Sequence, residues 1–438
     1  MSVLLVGFGV TNRAVAAGLR RRAFEVVAVD DRPDDALRAA ADDADVRLVA
    51  APGREGLRRL VSGAEMVVPS PGLADHHPVF ALAREAGVPV RSEFDLARGW
   101  DSRPLLAVTG TNGKTSVTTL AAAMIEASGR RAAAVGNTEV PLVSAIDDPS
   151  TDVFVVEASS FRLAHTARFV PAVATWLNFA PDHQDAHASL ASYEQAKARI
   201  WADQGPEALA VGHADDEVVA AHLAGVTARR LTFGRRGADY HLDEGRLYAP
   251  AGVELAGASE LWRSFPHDLT NALAAAATAV GGGATLAGAR AALLAFTGLP
   301  HRVSLVGEAK GVRFYDDSKA TTPHATLAAL RAFDSAVLVV GGRNKGLDLS
   351  PLVDGAPKVR AVVAIGEAAP ELAMVFDGVR PVRVAATMAE AVDAAASLAQ
   401  PGDAVLLSPG CASFDWYGSY GERGDDFAHH VRTLLAAS

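Results

Sequence analysis

Gly110-Thr-Asn-Gly-Lys-Thr115 is the stretch of this chain best equipped for chemistry. Glycines let backbone N–H groups come close to phosphate oxygens, and a helix N-terminus adds a partial positive charge. Lys114 is placed to reach terminal phosphates, and the Thr115 hydroxyl to ligate a hard cation. Gly110, Thr111, Asn112, Gly113 and Ser116 complete the loop and the start of the helix. Two residues separate Gly110 from Gly113, so the spacing is not that of the ordinary Walker loop. The elements around it matter as much. An apolar run over 104–109 and an amphipathic stretch over 116–125 predict a buried strand, a glycine loop and a helix in that order. A nucleotide is the expected ligand; a structural turn is the alternative.

Other polar groups fall at predicted strand ends. Glu157 follows the apolar residues 153–156 and is placed either to ligate a cation near phosphates or to stand as a solvated carboxylate. Asp182-His183 ends the run 172–177. The helix predicted over 190–201 carries Lys197 one turn after Tyr193, on the same face. A helical lysine is ordinarily a solvated charge; beside carboxylates, a histidine and Mg²⁺, a neutral one could instead add CO₂ as a carbamate.

Near the N-terminus, Gly7-Phe-Gly9-Val-Thr-Asn12 lies between a strand over 3–6 and a helix reaching 19, and a second strand ends at Asp30. This imitates a dinucleotide fingerprint, but Asn12 occupies the third glycine position. A different nucleotide-like ligand is expected there rather than NAD, with a plain structural turn as the alternative. Pro69-Ser-Pro-Gly72 is another loop at a strand end. In the last third, Gly298-Leu-Pro-His-Arg302, Asp316-Asp-Ser-Lys-Ala-Thr321, Gly341-Gly-Arg-Asn-Lys345 and Ser408-Pro-Gly-Cys-Ala-Ser413 gather lysines, hydroxyls and loop amides. Such a set suits a carboxylate ligand.

The chain's 438 residues suggest about three domains of roughly 150 residues. The boundaries are placed at 1–95, 96–298 and 299–438. A net charge of −10 argues against nucleic acid as a partner. Cys411 stands alone, which excludes a disulfide framework and fits a reducing compartment. No apolar run approaches the ~18–20 residues of a membrane span, so no membrane insertion is expected and the cytoplasm is the expected location.

Together these motifs resemble the Mur ligases over essentially the whole length. The residues that carry the likeness are Gly110–Thr115, Glu157-Ala-Ser-Ser-Phe161, Asp182-His183, Tyr193-Glu-Gln-Ala-Lys197, His267-Asp-Leu-Thr-Asn271, Gly298–Arg302, Asp317-Ser-Lys-Ala-Thr321 and Ser413-Phe-Asp-Trp-Tyr-Gly-Ser-Tyr-Gly-Glu-Arg-Gly424. The resemblance implies an α/β protein of three domains: a Rossmann-like N-terminal domain, a central P-loop ATPase-like parallel sheet with helices, and a Rossmann-like C-terminal domain. It implies an ATP- and Mg²⁺-dependent amide ligase that adds D-glutamate to UDP-N-acetylmuramoyl-L-alanine through an acyl phosphate, in peptidoglycan precursor synthesis, as a monomer. A sister ligase using another amino acid such as L-glutamate, and a non-catalytic UDP-sugar and ATP module, are the alternatives.

By the same resemblance the UDP substrate would lie against Val10, Thr11, Asp30, Asp31, Arg32, Ser70 and Gly72, with Asn137 and His183 near its reactive end. ATP would meet the glycine loop, Asn271, Arg302 and Asp317. Glutamate would be held by Thr321, Lys345, Ser413 and Phe414, with Lys319 close by. Thr115, Glu157, His183 and Lys197 would hold metal, Lys197 matching the lysine carbamylated in this family. Lys114, Glu157, His183 and Lys197 would form the catalytic set. Ala158, Arg162, Ala186, Asp268 and Thr322 depart from the family's common residues.

Overall fold

The structure is a computed structural model describing residues 2–138, 140–182, 187–235, 237–344 and 346–436. It divides into two compact units, Met1–Phe296 and Thr297–Ser438. The first contains two sheets and the second one.

In the first sheet, β1 (Ser2–Val6), β2 (Glu25–Asp30), β3 (Arg47–Ala50) and β4 (Met66–Pro69) run parallel in the order β3-β2-β1-β4. Val3, Leu4, Leu5 and Val6 are all buried because helices cover both faces of β1. Strand order reverses at β1, which opens a crevice at the carboxyl ends of β1 and β4.

The second sheet holds nine strands: β5 (Leu105–Thr109), β6 (Ala132–Gly136), β7 (Val153–Glu157), β8 (Val173–Trp176), β9 (Leu209–His213), β10 (Arg229–Arg235), β11 (Tyr240–Asp243), β12 (Arg246–Ala249) and β13 (Val253–Gly257). Their order is β13-β12-β11-β10-β9-β8-β5-β7-β6. Strands β5 to β10 are parallel to all their neighbours, β11 runs parallel to β10, and β12 and β13 close the edge in antiparallel. The expected rhythm of strands and alanine-rich helices therefore stops at β10. The short strands β11–β13 carry mixed residues and are only partly buried, and the alanine-rich helices resume after them. Glu157 is the last residue of β7 rather than the first beyond it. Helix Pro266–Gly281 buries Ala272, Ala274–Ala277 and Ala279, and these small side chains let the helix lie close on the sheet.

The second unit's sheet contains β14 (Ser304–Ala309), β15 (Val312–Asp316), β16 (Ala336–Gly341), β17 (Val359–Ile365), β18 (Val382–Ala385) and β19 (Ala404–Leu407), ordered β14-β15-β19-β16-β17-β18. Only β14 runs antiparallel. The loops after β15, β16 and β19 emerge side by side at one edge.

Candidate functional site

The glycine loop leaves β5 at the point where the central sheet reverses its order, between β7 and β8. It enters helix Lys114–Ala127 through Gly113, whose φ of +85° only glycine adopts without strain. A Cβ there would meet Asn271 Oδ1 at 2.4 Å, so Asn271 sits against the loop. The loop is pinned from β8. Thr111 N donates to Asn178 O (3.1 Å), Asn112 N donates to Asn178 Oδ1 (2.9 Å), and Asn178 Nδ2 donates to Asn112 O (3.1 Å). Thr111 Oγ1 accepts from Ala180 N at 3.0 Å. Lys114 curls across the loop, its Nζ donating to Gly110 O and Thr111 O, both at 2.9 Å. Thr115 and Ser116 begin the helix, half-buried. A helix N-terminus, a lysine and a rigid turn at a sheet's switch point make an anion cradle.

Lys197 is 1% exposed, and its Nζ donates to the same Gly110 O at 2.9 Å. It lies 4.4 Å from the centre of the Tyr193 ring, so both residues do share one helix face. Burial holds its pKa well below the usual lysine range; the Lys114 charge pushes the same way and Asp182 opposes. A solvated surface lysine is excluded. Glu157 is likewise buried, at 3% exposure. Its Oε1 accepts from Asn137 Nδ2 at 3.2 Å, and its Oε2 is buried with no hydrogen-bond partner. Such an oxygen carries an unmet demand that a hard cation satisfies, so the residues present fit Mg²⁺. Among the described residues no group of three or more His, Cys, Asp or Glu is arranged to hold a metal ion by itself. His183 lies outside the described residues.

At the carboxyl ends of β1, β2 and β4 is a cavity of about 280 Å³. It brings together five of the residues expected there: Asp30, Asp31, Arg32, Ser70 and Gly72. The Asp30 carboxylate accepts from Phe8 N (2.9 Å) and Arg32 N (3.0 Å), so it shapes the loop. Asn12 is fully buried and donates to Gly7 O (2.7 Å), Val68 O (3.2 Å) and Val6 O (3.3 Å). That lock explains why asparagine stands where a dinucleotide site has glycine. Val10, Thr11 and Asn137 do not line this cavity. Val10 is 60% exposed, and Thr11 Oγ1 accepts from Arg162 Nη2 at 3.0 Å. Arg162 also pairs with Glu93, and both are buried.

In the second unit Asp317 is buried after β15, where Ser408 Oγ (2.8 Å) and Val303 N (3.2 Å) donate to it. Burial pushes its pKa up to about 7, against the pull of Arg302. Lys319 Nζ lies 5.2 Å from the Tyr420 ring centre. Thr321 is half-buried, Ser413 buried and Phe414 56% exposed. Lys345 lies outside the described residues. Arg423 escaped the sequence reading. It is fully buried and donates to Ser318 Oγ (3.0 Å), Ser318 O (2.9 Å), Cys411 O (3.1 Å) and Gly341 O (3.4 Å). One guanidinium thus ties together the loops after β15, β16 and β19. Its sequence signal was its place in the motif over 413–424, where no role was assigned to it.

Family models match residues 108–279, as a Mur ligase middle domain, and residues 301–411, as a Mur ligase glutamate ligase domain. The UDP-N-acetylmuramoylalanine--D-glutamate ligase of Frankia casuarinae is 41% identical, over 99% of this chain and 94% of that protein. The protein of the same name from Thermobifida fusca is 39% identical, over 99% and 98%. Among solved structures, a pseudomurein peptide ligase type C from Methanothermus fervidus aligns with a TM-score of 0.61 at 16% identity, over 99% of each chain. The UDP-N-acetylmuramate-alanine ligase of Thermotoga maritima aligns at 0.60 and 17%, over 100% of each. These structures share the fold.

Proposed function

The chain belongs to the Mur ligase family, and on that premise we propose that it joins D-glutamate to UDP-N-acetylmuramoyl-L-alanine at the expense of ATP, in peptidoglycan precursor synthesis. The relatives similar over nearly the whole chain carry that activity in their names. The observation in the molecule that carries the reading is the meeting of Lys114 and buried Lys197 on the Gly110 carbonyl, at the mouth of a phosphate cradle.

A carboxylate is a poor electrophile, so the terminal alanine carboxylate takes a phosphoryl group from ATP and becomes an acyl phosphate. The glutamate amine then attacks, and phosphate leaves. Lys114 and the first N–H groups of helix Lys114–Ala127 oppose the charge that gathers on the phosphoryl oxygens. Mg²⁺, when bound, neutralises part of that charge. We assign it to Thr115 and Glu157, with His183 and carbamylated Lys197 serving a second ion. Low proton affinity at Lys197 supports the carbamate, because only the neutral amine attacks CO₂. Asn137 turns the Glu157 carboxylate by its hydrogen bond.

We assign the UDP moiety to the cavity at Asp30, Asp31, Arg32, Ser70 and Gly72, with Val10 and Thr11 beside it. Asn271 joins the ATP loop, and Arg302 and Asp317 are further nucleotide contacts by family resemblance. Lys319, Thr321, Lys345, Ser413 and Phe414 are assigned to glutamate on the same ground. Residues 1–95, 96–298 and 299–438 are proposed as the corresponding substrate, ATP and amino-acid domains. A monomer in the cytoplasm, where ATP and nucleotide-linked sugars are at hand, completes the proposal.

The test is phosphate release from ATP, Mg²⁺ and UDP-N-acetylmuramoyl-L-alanine across a panel of D- and L-amino acids. Turnover with D-glutamate alone is expected. Turnover with L-glutamate and none with D-glutamate would overturn the substrate choice.

A further inference from the structure

The loop after β4 supplies Ser70, Gly72 and Leu73 to the cavity at the ends of β1, β2 and β4. Two residues further on, the carboxylate of Asp75 lies between two histidines that belong to distant stretches of the chain. His165 Nε2 is 3.7 Å from Asp75 Oδ1, and His187 Nδ1 is 3.4 Å from Asp75 Oδ2. The His165 ring also lies near the backbone of Leu73, a wall of that cavity.

Both rings are themselves held. Phe80 stacks on His165 with centroids 4.4 Å apart, and Phe161 stacks on His187 at 5.2 Å. His187 Nε2 lies 3.0 Å from Ser160 Oγ, three residues beyond the cation-seeking carboxylate of Glu157. The His187 side chain is 1% exposed, that of His165 12% and that of Asp75 30%. Ser160 is buried too deeply to meet a substrate, which excludes a hydrolytic reading of the Ser160–His187–Asp75 chain.

We infer that Asp75, gripped by His165 and His187, is a positioning residue that fixes the loop 70–77 in the shape that receives the UDP-bearing substrate and registers it against the Glu157–Ser160 segment. A loop with few contacts of its own samples many shapes, and affinity falls by the fraction of time it spends in others. Anchoring its middle to rigid rings removes that loss. The carboxylate does this without touching the ligand, since Asp75 is absent from the cavity wall.

The inference rests on the UDP-substrate reading of the cavity, and calorimetry separates the two. UDP-N-acetylmuramoyl-L-alanine and, separately, a non-hydrolysable ATP analogue are titrated into wild type, Asp75→Asn, His165→Gln and the double variant. Asp75→Asn is expected to weaken the UDP ligand about tenfold, the scale on which lost pre-organisation is felt, while ATP-analogue affinity stays unchanged. The double variant is expected to be no worse than the poorer single one, because the grip is broken once. Asp75→Glu, which keeps the carboxylate, is expected to recover most of the loss. Unchanged affinity for the UDP ligand in Asp75→Asn, or equal loss for both ligands, overturns the positioning role and leaves the substrate reading intact. No binding of the UDP ligand by wild type overturns both.

Discussion

Lys114 and Lys197 share one acceptor, the Gly110 carbonyl, and two charged ammonium groups would repel there. Burial and the neighbouring Lys114 charge both favour the neutral form of Lys197, while Lys114 itself is only half-buried. Replacing Lys197 by Ala is expected to cost at least about a hundredfold in turnover, and short carboxylic acids such as formate should restore part of it by standing in for the carbamate oxygens. Full activity in Lys197→Ala would end the carbamate proposal. Asp317 offers a test by pH. Its folded pKa of about 7 lies above the ordinary 3.8, so the folded state binds more protons between those values. Stability drawn from this residue is therefore complete near pH 4 and lost as pH rises through 7. Asp317→Asn has no such loss, and its melting temperature should gain on wild type from about pH 4 to pH 7 and level off above. A constant difference across that range would show that Asp317 ionises normally.

At the scale of elements, the loop and helix after β5 act as one piece whose shape depends on Gly113. Gly113→Ala puts a methyl 2.4 Å from Asn271 Oδ1 at a left-handed backbone position. Nucleotide affinity is expected to fall at least about thirtyfold, with a stability cost of only about 1–2 kcal/mol, the usual penalty for strain at one residue. Fluorescence titration and urea unfolding of the same variant measure the two. A second junction joins helices Glu93–Trp100 and Ser160–Ala164 through the buried Arg162–Glu93 pair. Arg162→Met leaves Glu93 buried without its cation and should cost about 3–5 kcal/mol in urea unfolding. Little change would mean that Glu93 takes up a proton cheaply.

These junctions also show where the sequence was readable. Apolar runs ending in polar residues located β5, β7, β8, β16 and β19, because strands buried on both faces leave that mark. The glycine loop and Glu157 were singled out by their places at strand ends, whereas Lys197 on its helix face read as an ordinary solvated charge until the family resemblance was weighed. The ribbon β11–β13 escaped because its short strands carry mixed residues. Arg162–Glu93, Asn178 and Arg423 escaped for another reason. Each has a partner 66 or more residues away, as with Asn178 and Asn112 or Arg423 and Ser318, and no local period records such a meeting.

For the whole molecule, the separate core of the second unit has a consequence. Val337, Val339, Val363, Val405, Leu407, Phe427 and Val431 pack within Thr297–Ser438. At 142 residues that unit is large enough to bury a sufficient interior. Residues 297–438 produced alone are expected to melt cooperatively with a mixed α/β circular dichroism spectrum. A non-cooperative melt would show that the unit needs the rest of the chain.

The cavity at the ends of β1, β2 and β4 is walled largely by main chain. Gly7, at φ +80°, would bring a Cβ to 2.7 Å from Ser70 Cβ, and Asp30 spends both carboxylate oxygens on backbone N–H groups. A ligand that gripped those backbone atoms would be hard to evade by substitution. Substitutions at Gly7 or Asp30 would dismantle the loop itself, which leaves Arg32 and Ser70 as the side chains that can change without collapsing the wall.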